Sequence, residues 1–155
     1  MENMEMNSKI KDALVKIDFV KRYEELSAKY DPAKTPSDDR LELIDGEEVM
    51  SMISALGYTP KFNSKEKFFY IQDEVVGDYS FRVHLILQYG MADIVWVVKE
   101  KDELLLGSPW GTYAKRIVDA GCRIKKPVFA SYDELEDILK VSFKMYEEFK
   151  AAVAC

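Results

Sequence analysis

Between Lys67 and Lys99 the chain alternates its side chains with a period of two in three closely spaced runs: KFFYIQ (67–72), SFRVHLILQY (80–89) and IVWVVK (94–99). Residues two apart share one face of a strand, and β-branched and aromatic side chains suit a pleated surface, so each run reads as a strand. The gaps hold Gly77-Asp78 and GMAD (90–93). Neither is long enough for a crossover helix, so consecutive strands must run antiparallel. The rest of the chain has to fold around this meander.

The turns set an expected register. Gly77-Asp78 as a two-residue turn puts Val76 opposite Tyr79, and the second turn puts Tyr89 opposite Ile94. One face then gathers Phe68, Tyr70, Val83, Leu85, Leu87, Ile94, Trp96 and Val98. The other gathers Phe69, Ile71, His84, Ile86, Val95 and Val97. A solvated antiparallel sheet shows polar residues on one side. Here both sides are apolar, so each calls for a cover, from helices of this chain or from another molecule.

Upstream the period is 3.6. Ser8 reads as an N-cap, and Ile10, Ala13, Leu14, Ile17, Val20, Tyr23, Leu26 and Tyr30 form one stripe that Asp31-Pro32 ends. A polar connection follows to Ser37, and Leu41, Leu43 and Ile44 return the chain to the core. Asp45 caps a short helix carrying Val49, Met52, Ile53 and Leu56, with Gly57 just past its end.

Downstream, ELLL (103–106) is a fourth strand and RIKKPVF (123–129) a last one, which Pro127 confines to an edge or to partial pairing. Between them lies Gly107-Ser108-Pro109-Trp110-Gly111. A serine nucleophile elbow needs Gly-x-Ser-x-Gly, which this is not, and no base is evident nearby. Ser108 reads instead as an N-cap with Pro109 at the first helical position, and Gly121 closes the helix. Ser131 and Glu134 form a capping box for a final helix with Leu135, Ile138, Leu139, Ser142, Tyr146, Phe149 and Val153 on one face. The expected class is α+β: one domain over 1–155, an antiparallel meander of four to five strands with about four helices, and residues 1–7 outside the ordered part.

Little of the chain looks catalytic. His84 is the only histidine and sits in the central strand, where a neutral packed ring is expected. No C-x-x-C, H-E-x-x-H, calcium loop, P-loop or dinucleotide fingerprint occurs, so neither a metal nor a cofactor is expected. Cys122 follows a helix end, where the dipole works against a thiolate. Glu47-Glu48 and Asp133-Glu134 occupy helix first turns, where acids are welcome without any catalytic role. The expectation is a protein that is not an enzyme.

Charge points to a partner instead. The net charge is −6, which disfavours nucleic acid. Residues 31–48 hold seven acids and two bases, whereas 112–126 hold five bases and one acid. Asp38, Asp39 and Glu42, with Asp73, Glu74 and Asp78, are the expected docking residues for a basic protein surface. No apolar run approaches the roughly 20 residues that span a bilayer. No secretory leader is evident, and the two cysteines do not suggest a disulfide framework, so a cytoplasmic protein is expected.

The segment KKPVFASYDELEDILKVSFKMYEEFK (125–150) places a short strand, a capped serine and a long acidic helix in sequence. It resembles the tails of small immunity proteins from bacterial polymorphic toxin systems, contact-dependent and type VI. The likeness covers about the last thirty residues and carries over no functional residue. It implies a cytoplasmic, acidic, non-enzymatic protein that binds one toxin domain. An assembly or homo-oligomeric subunit, and a small hydrolase with dispersed carboxylates, are the alternatives.

Overall fold

The computed structural model describes residues 6–154. Its centre is a hairpin of two ten-residue strands, β4 (Tyr79–Gln88) and β5 (Met91–Glu100). The turn is Tyr89-Gly90, both at positive φ (58° and 69°), as a type I′ hairpin turn requires. The sequence reading put this turn at 90–93. Gln88 in fact faces Met91, and Ile94 lies opposite Leu85 rather than Tyr89. A tyrosine in the left-handed region is what hid the true turn. Ile94's partner moved by four positions, an even number, so the faces survived. Trp96 lies opposite Val83, on the face of Leu85 and Leu87, as expected.

On the other side of β4 the slip is odd. The strand β3 (Glu74–Val76) pairs with the start of β4, Val76 opposite Tyr79, as the Gly77-Asp78 turn demands. Farther along, β2 (Phe68–Ile71) sets Phe69 opposite Leu85. Between Glu74↔Phe81 and Phe69↔Leu85 the outer chain spends five residues and β4 four. The extra residue, at Gln72-Asp73, flips the alternation. Phe69 and Ile71 are therefore in the core, and Phe68 and Tyr70 turn to the opposite face, the reverse of the expected assignment.

Two short edges complete an antiparallel sheet of six strands, ordered β1-β2-β4-β5-β6 with β3 beside β4. PKFN, which showed no alternation, forms β1 (Pro60–Asn63). ELLL extends into β6 (Glu103–Pro109). RIKKPVF makes only an isolated bridge, Met91↔Val128. It is laced in by the Phe129 N–H to the Gly90 carbonyl and the Val128 N–H to the Tyr30 carbonyl, both 2.9 Å.

Among the described residues there are five α-helices, and the fold is α+β. The first stripe is split into α1 (Ser8–Lys16) and α2 (Phe19–Lys29), with Asp18 left-handed at φ 60° between them. The break brings Phe19 inside, a position the unbroken stripe had left out. Asn7, not Ser8, caps α1: its side chain accepts from the Lys9 and Ile10 N–H groups. Of the tail expected to be unordered, residues 1–5 lie outside the described residues. Asp45 caps α3 (Gly46–Ala55) as read, and Gly57 follows at φ 99°. Next come α4 (Trp110–Ile117) and the 23-residue α5 (Tyr132–Ala154). Half of the capping box forms: the Glu134 N–H donates to Ser131 Oγ at 3.2 Å, while the Glu134 carboxylate accepts from the Ala130 N–H at 2.7 Å, one residue before the cap. All seven residues expected on the inner face of α5 are buried.

All five helices send buried residues to one face of the sheet. Trp96 is at its centre, stacked on Phe149 at 4.7 Å and edge-on to Trp110 at 5.2 Å, with Phe19 also 5.2 Å from Trp110. The opposite face contributes nothing to this core. Its residues cover one another: Phe68 stacks on His84 at 4.5 Å and Arg82 lies 5.0 Å over Tyr70. Helices of this chain supply the cover on one side only.

Candidate partner-binding site

The six acids expected to dock a partner do not form one patch. Asp78 lies in the turn before β4, and Asp73 and Glu74 lie just upstream, whereas the segment of Asp38, Asp39 and Glu42 is held at the far end of the same strand. The upstream three are engaged by their own chain. Asp73 pairs with Arg82 Nε at 2.5 Å, and Asp78 with Lys101 at 3.8 Å. Glu74 is partly turned inward: it accepts from the Tyr146 hydroxyl at 2.7 Å and from Lys150 Nζ at 2.6 Å, pinning β3 to α5, with its side chain 32% exposed.

Asp38 and Asp39 sit in a short 3₁₀ turn, Ser37–Asp39, and with Glu42 are exposed. Among the described residues their carboxylates have no ion pair. What holds this segment is hydrogen bonding to backbone carbonyls. Arg40 Nε donates to the Thr35 carbonyl and the Leu41 N–H to the Phe129 carbonyl, each 2.9 Å. Arg40 also lies directly over Gly90, whose absent Cβ would be 2.5 Å from the Arg40 Cβ. The acidic segment is thus strapped across the β4–β5 turn.

The strap leaves apolar groups outside. Leu41 faces inward and Leu43, two residues on, faces out at 90% exposure, so it does not anchor the chain as the sequence suggested. Tyr89, raised on its left-handed backbone, is 66% exposed. Directly after Leu43, Ile44 enters the wall of a cavity of about 560 Å³ between the first turn of α3 and the sheet. Met50, Phe62, Phe69 and Leu87 complete its apolar surface. Asp45, Glu47 and Lys67 stand at its polar side. Asp45 is fixed there by capping α3, accepting from the Glu47 N–H at 3.0 Å. Phe62 is fixed against Phe69 at 4.8 Å by the β1–β2 pairing. Sequence reasoning missed Leu43, Met50, Phe62 and Tyr89. Only the Leu41-x-Leu43 spacing carried a signal, since alternate residues of an extended segment point opposite ways.

Two other places concentrate chemical groups. In the first, Tyr58 donates to Glu147, Tyr146 to Glu74, and Lys150 bridges Glu74 and Glu147 at 2.6 and 2.9 Å. The Lys150 side chain is only 12% exposed and lies 4.6 Å over the Tyr146 ring. Burial and the Glu74 hydrogen bond push the Tyr146 phenol far above its ordinary value. Burial opposes ionisation of Glu147, but hydrogen bonds from Tyr58 and Lys150 outweigh it and hold the carboxyl low. These groups satisfy one another and tie a helix to a strand. In the second, His84 lines a cavity of about 130 Å³ with Asp73, Arg82 and Lys99. Burial, then the Arg82 charge, depress its pKa, so the ring is neutral near pH 7.

Ser108 does not cap α4. It lies within β6, and Pro109 takes the N-cap position with no side-chain cap bond. The joint is closed by Tyr113, whose buried hydroxyl accepts from the Ser108 N–H at 2.7 Å and donates to the Trp96 carbonyl at 2.5 Å. Among the described residues no group of three or more His, Cys, Asp or Glu side chains could hold a metal ion, and no helix is long and apolar enough to cross a membrane. No known family's model matches the chain, and no curated protein or solved structure matches it.

Proposed function

We propose that this chain is a non-enzymatic protein-binding module that neutralises a basic partner, in the manner of a cytoplasmic immunity protein covering a toxin domain. The observation that carries this reading is the 560 Å³ apolar cavity beside exposed Leu43 and Tyr89, with the carboxylates of Asp38, Asp39 and Glu42, unpaired among the described residues, on the same strap. Interfaces draw most of their affinity from a few apolar or aromatic anchors seated in pockets, and their rim charges steer the encounter. The cavity would receive an apolar side chain of the partner while the acids face its lysines and arginines. The resemblance of residues 125–150 to immunity-protein tails supports the same class.

The test is binding to a candidate basic toxin domain, such as one encoded in a neighbouring reading frame, with inhibition of that domain's toxicity on co-expression. Leu43→Asp combined with Met50→Lys should abolish protection and weaken binding at least a hundredfold while the circular dichroism stays native. Full protection by that folded double variant would overturn the reading.

A further inference from the structure

The basic run at 112–126 plays no part in the proposed partner site, and it builds a cavity of its own. Thr112, Lys115, Arg123 and Lys126 converge on a space of about 300 Å³ at the amino end of α4. The one carboxylate there, Asp93, is taken by Lys126 at 3.3 Å. Lys115, half-buried, and Arg123, exposed at the rim, have no carboxylate partner among the described residues. Two unpaired cations lining one concavity repel each other, and an anion between them relieves that repulsion.

The backbone adds to the same field. α4 opens with no side-chain cap bond and no acid in its first turn, and Gly111 and Thr112 of that turn line the cavity. First-turn N–H groups are donors without partners inside the helix, and the helix dipole favours negative charge at this end. Gly111 has nothing within 4 Å of where a Cβ would stand, so its backbone is approachable.

We propose that this cavity binds a small oxyanion of the phosphate class, either free or esterified to a small molecule. Lys115 and Arg123 supply the charge, Arg123 by its planar fork, and Thr112 a hydroxyl donor. The cations meet in a cavity rather than along a groove, and the molecule's net charge of −6 repels a polyanion, so a small ligand fits better than a nucleic acid.

The experiment follows amide resonances of the full chain during titration with sodium phosphate, and separately adenosine monophosphate, at ionic strength held constant with sodium chloride. Gly111 and Thr112 should shift saturably. Lys115→Gln/Arg123→Gln should weaken binding at least tenfold without changing the melting temperature, and Lys65→Gln, on the β1–β2 turn, should change nothing. Equal affinity for the two ligands identifies the free oxyanion, and tighter binding of the nucleotide identifies the ester. Shifts that never saturate, or that persist unchanged in the folded double variant, would overturn the proposal.

Discussion

Arg40 rests on Gly90 so closely that a single methyl group on Gly90 would meet the Arg40 Cβ at 2.5 Å. Gly90 is also left-handed, at φ 69°. Gly90→Ala therefore carries both backbone strain and a clash, and should cost about 2–3 kcal/mol in urea unfolding. Gly77 supplies the comparison, at φ 61° with open space around it, so Gly77→Ala should cost only the strain of about 1 kcal/mol. Equal costs would show that the strap yields freely.

The strand-to-helix joint gives a prediction opposite to the one its sequence suggests. A capping serine replaced by alanine costs about 1 kcal/mol. Since the Ser108 side chain caps nothing, Ser108→Ala should stay within about 0.5 kcal/mol of wild type. Tyr113→Phe should instead cost about 1–3 kcal/mol, because it orphans the buried Trp96 carbonyl and the Ser108 N–H together. Chemical denaturation of the two variants decides between cap and bridge.

What the sequence disclosed, and what it hid, follows from parity. Period-two alternation identified β2, β4 and β5 whatever their turns. The shift at Tyr89-Gly90 was even and left Trp96 on the core face, while the single extra residue at Gln72-Asp73 exchanged Phe69 for Phe68. A bulge leaves no composition signal as strong as a glycine turn does. In α1 and α2 a nearly continuous stripe concealed Asp18's break, because residues on both sides still met the core. The candidate site was half legible. Its acids stood out as a charge run, but its apolar wall is assembled from α3, β1, β2 and β4, which only tertiary contact brings together.

Removing the Lys150 charge should expose the cost of two carboxylates held together. Lys150→Met should destabilise the fold by about 1–3 kcal/mol at pH 7, less than for a fully buried pair because Glu147 is half-exposed. The wild-type pH dependence has a definite sign. Glu147, Glu148 and Asp137 all have carboxyls held below their ordinary values, Glu148 chiefly by Arg22 and Asp137 chiefly by Tyr30. Their contribution is present above the ordinary carboxylate pKa of about 4 and lost as pH falls through the lowered native values. Melting temperature should drop below about pH 4 in the wild type and drop less in Lys150→Met.

The alkaline limb belongs to the phenols. Burial pushes Tyr23 up to about 12, and it raises Tyr30, Tyr58, Tyr113 and Tyr146 further. A group whose native pKa is raised adds stability below its unfolded value, near 10, and that stability is lost as pH rises above it. Absorbance at alkaline pH should resolve a set of tyrosines that ionise only as the protein unfolds. Smooth titration of every phenol near pH 10, with the fold intact, would contradict the packing of all five.

Charge reversal on the strap tests how the proposed interface works. Asp38, Asp39 and Glu42 are exposed and have no ion pair among the described residues, so their field reaches solvent undiminished by local partners. Asp73 and Asp78 are paired, and they lie at the opposite end of β4. Replacing the first three by lysine should lower the association rate with the basic partner about tenfold or more at low salt and leave the dissociation rate nearly unchanged, because rim charges act mainly on encounter. The difference should shrink as ionic strength approaches physiological values, where the Debye length is about 8 Å. Replacing Asp73 and Asp78 by lysine should change the rate far less. If the two sets slow association alike, the effect is one of overall charge; if neither does, the strap is a solvated surface and the cavity beside it acts without electrostatic guidance.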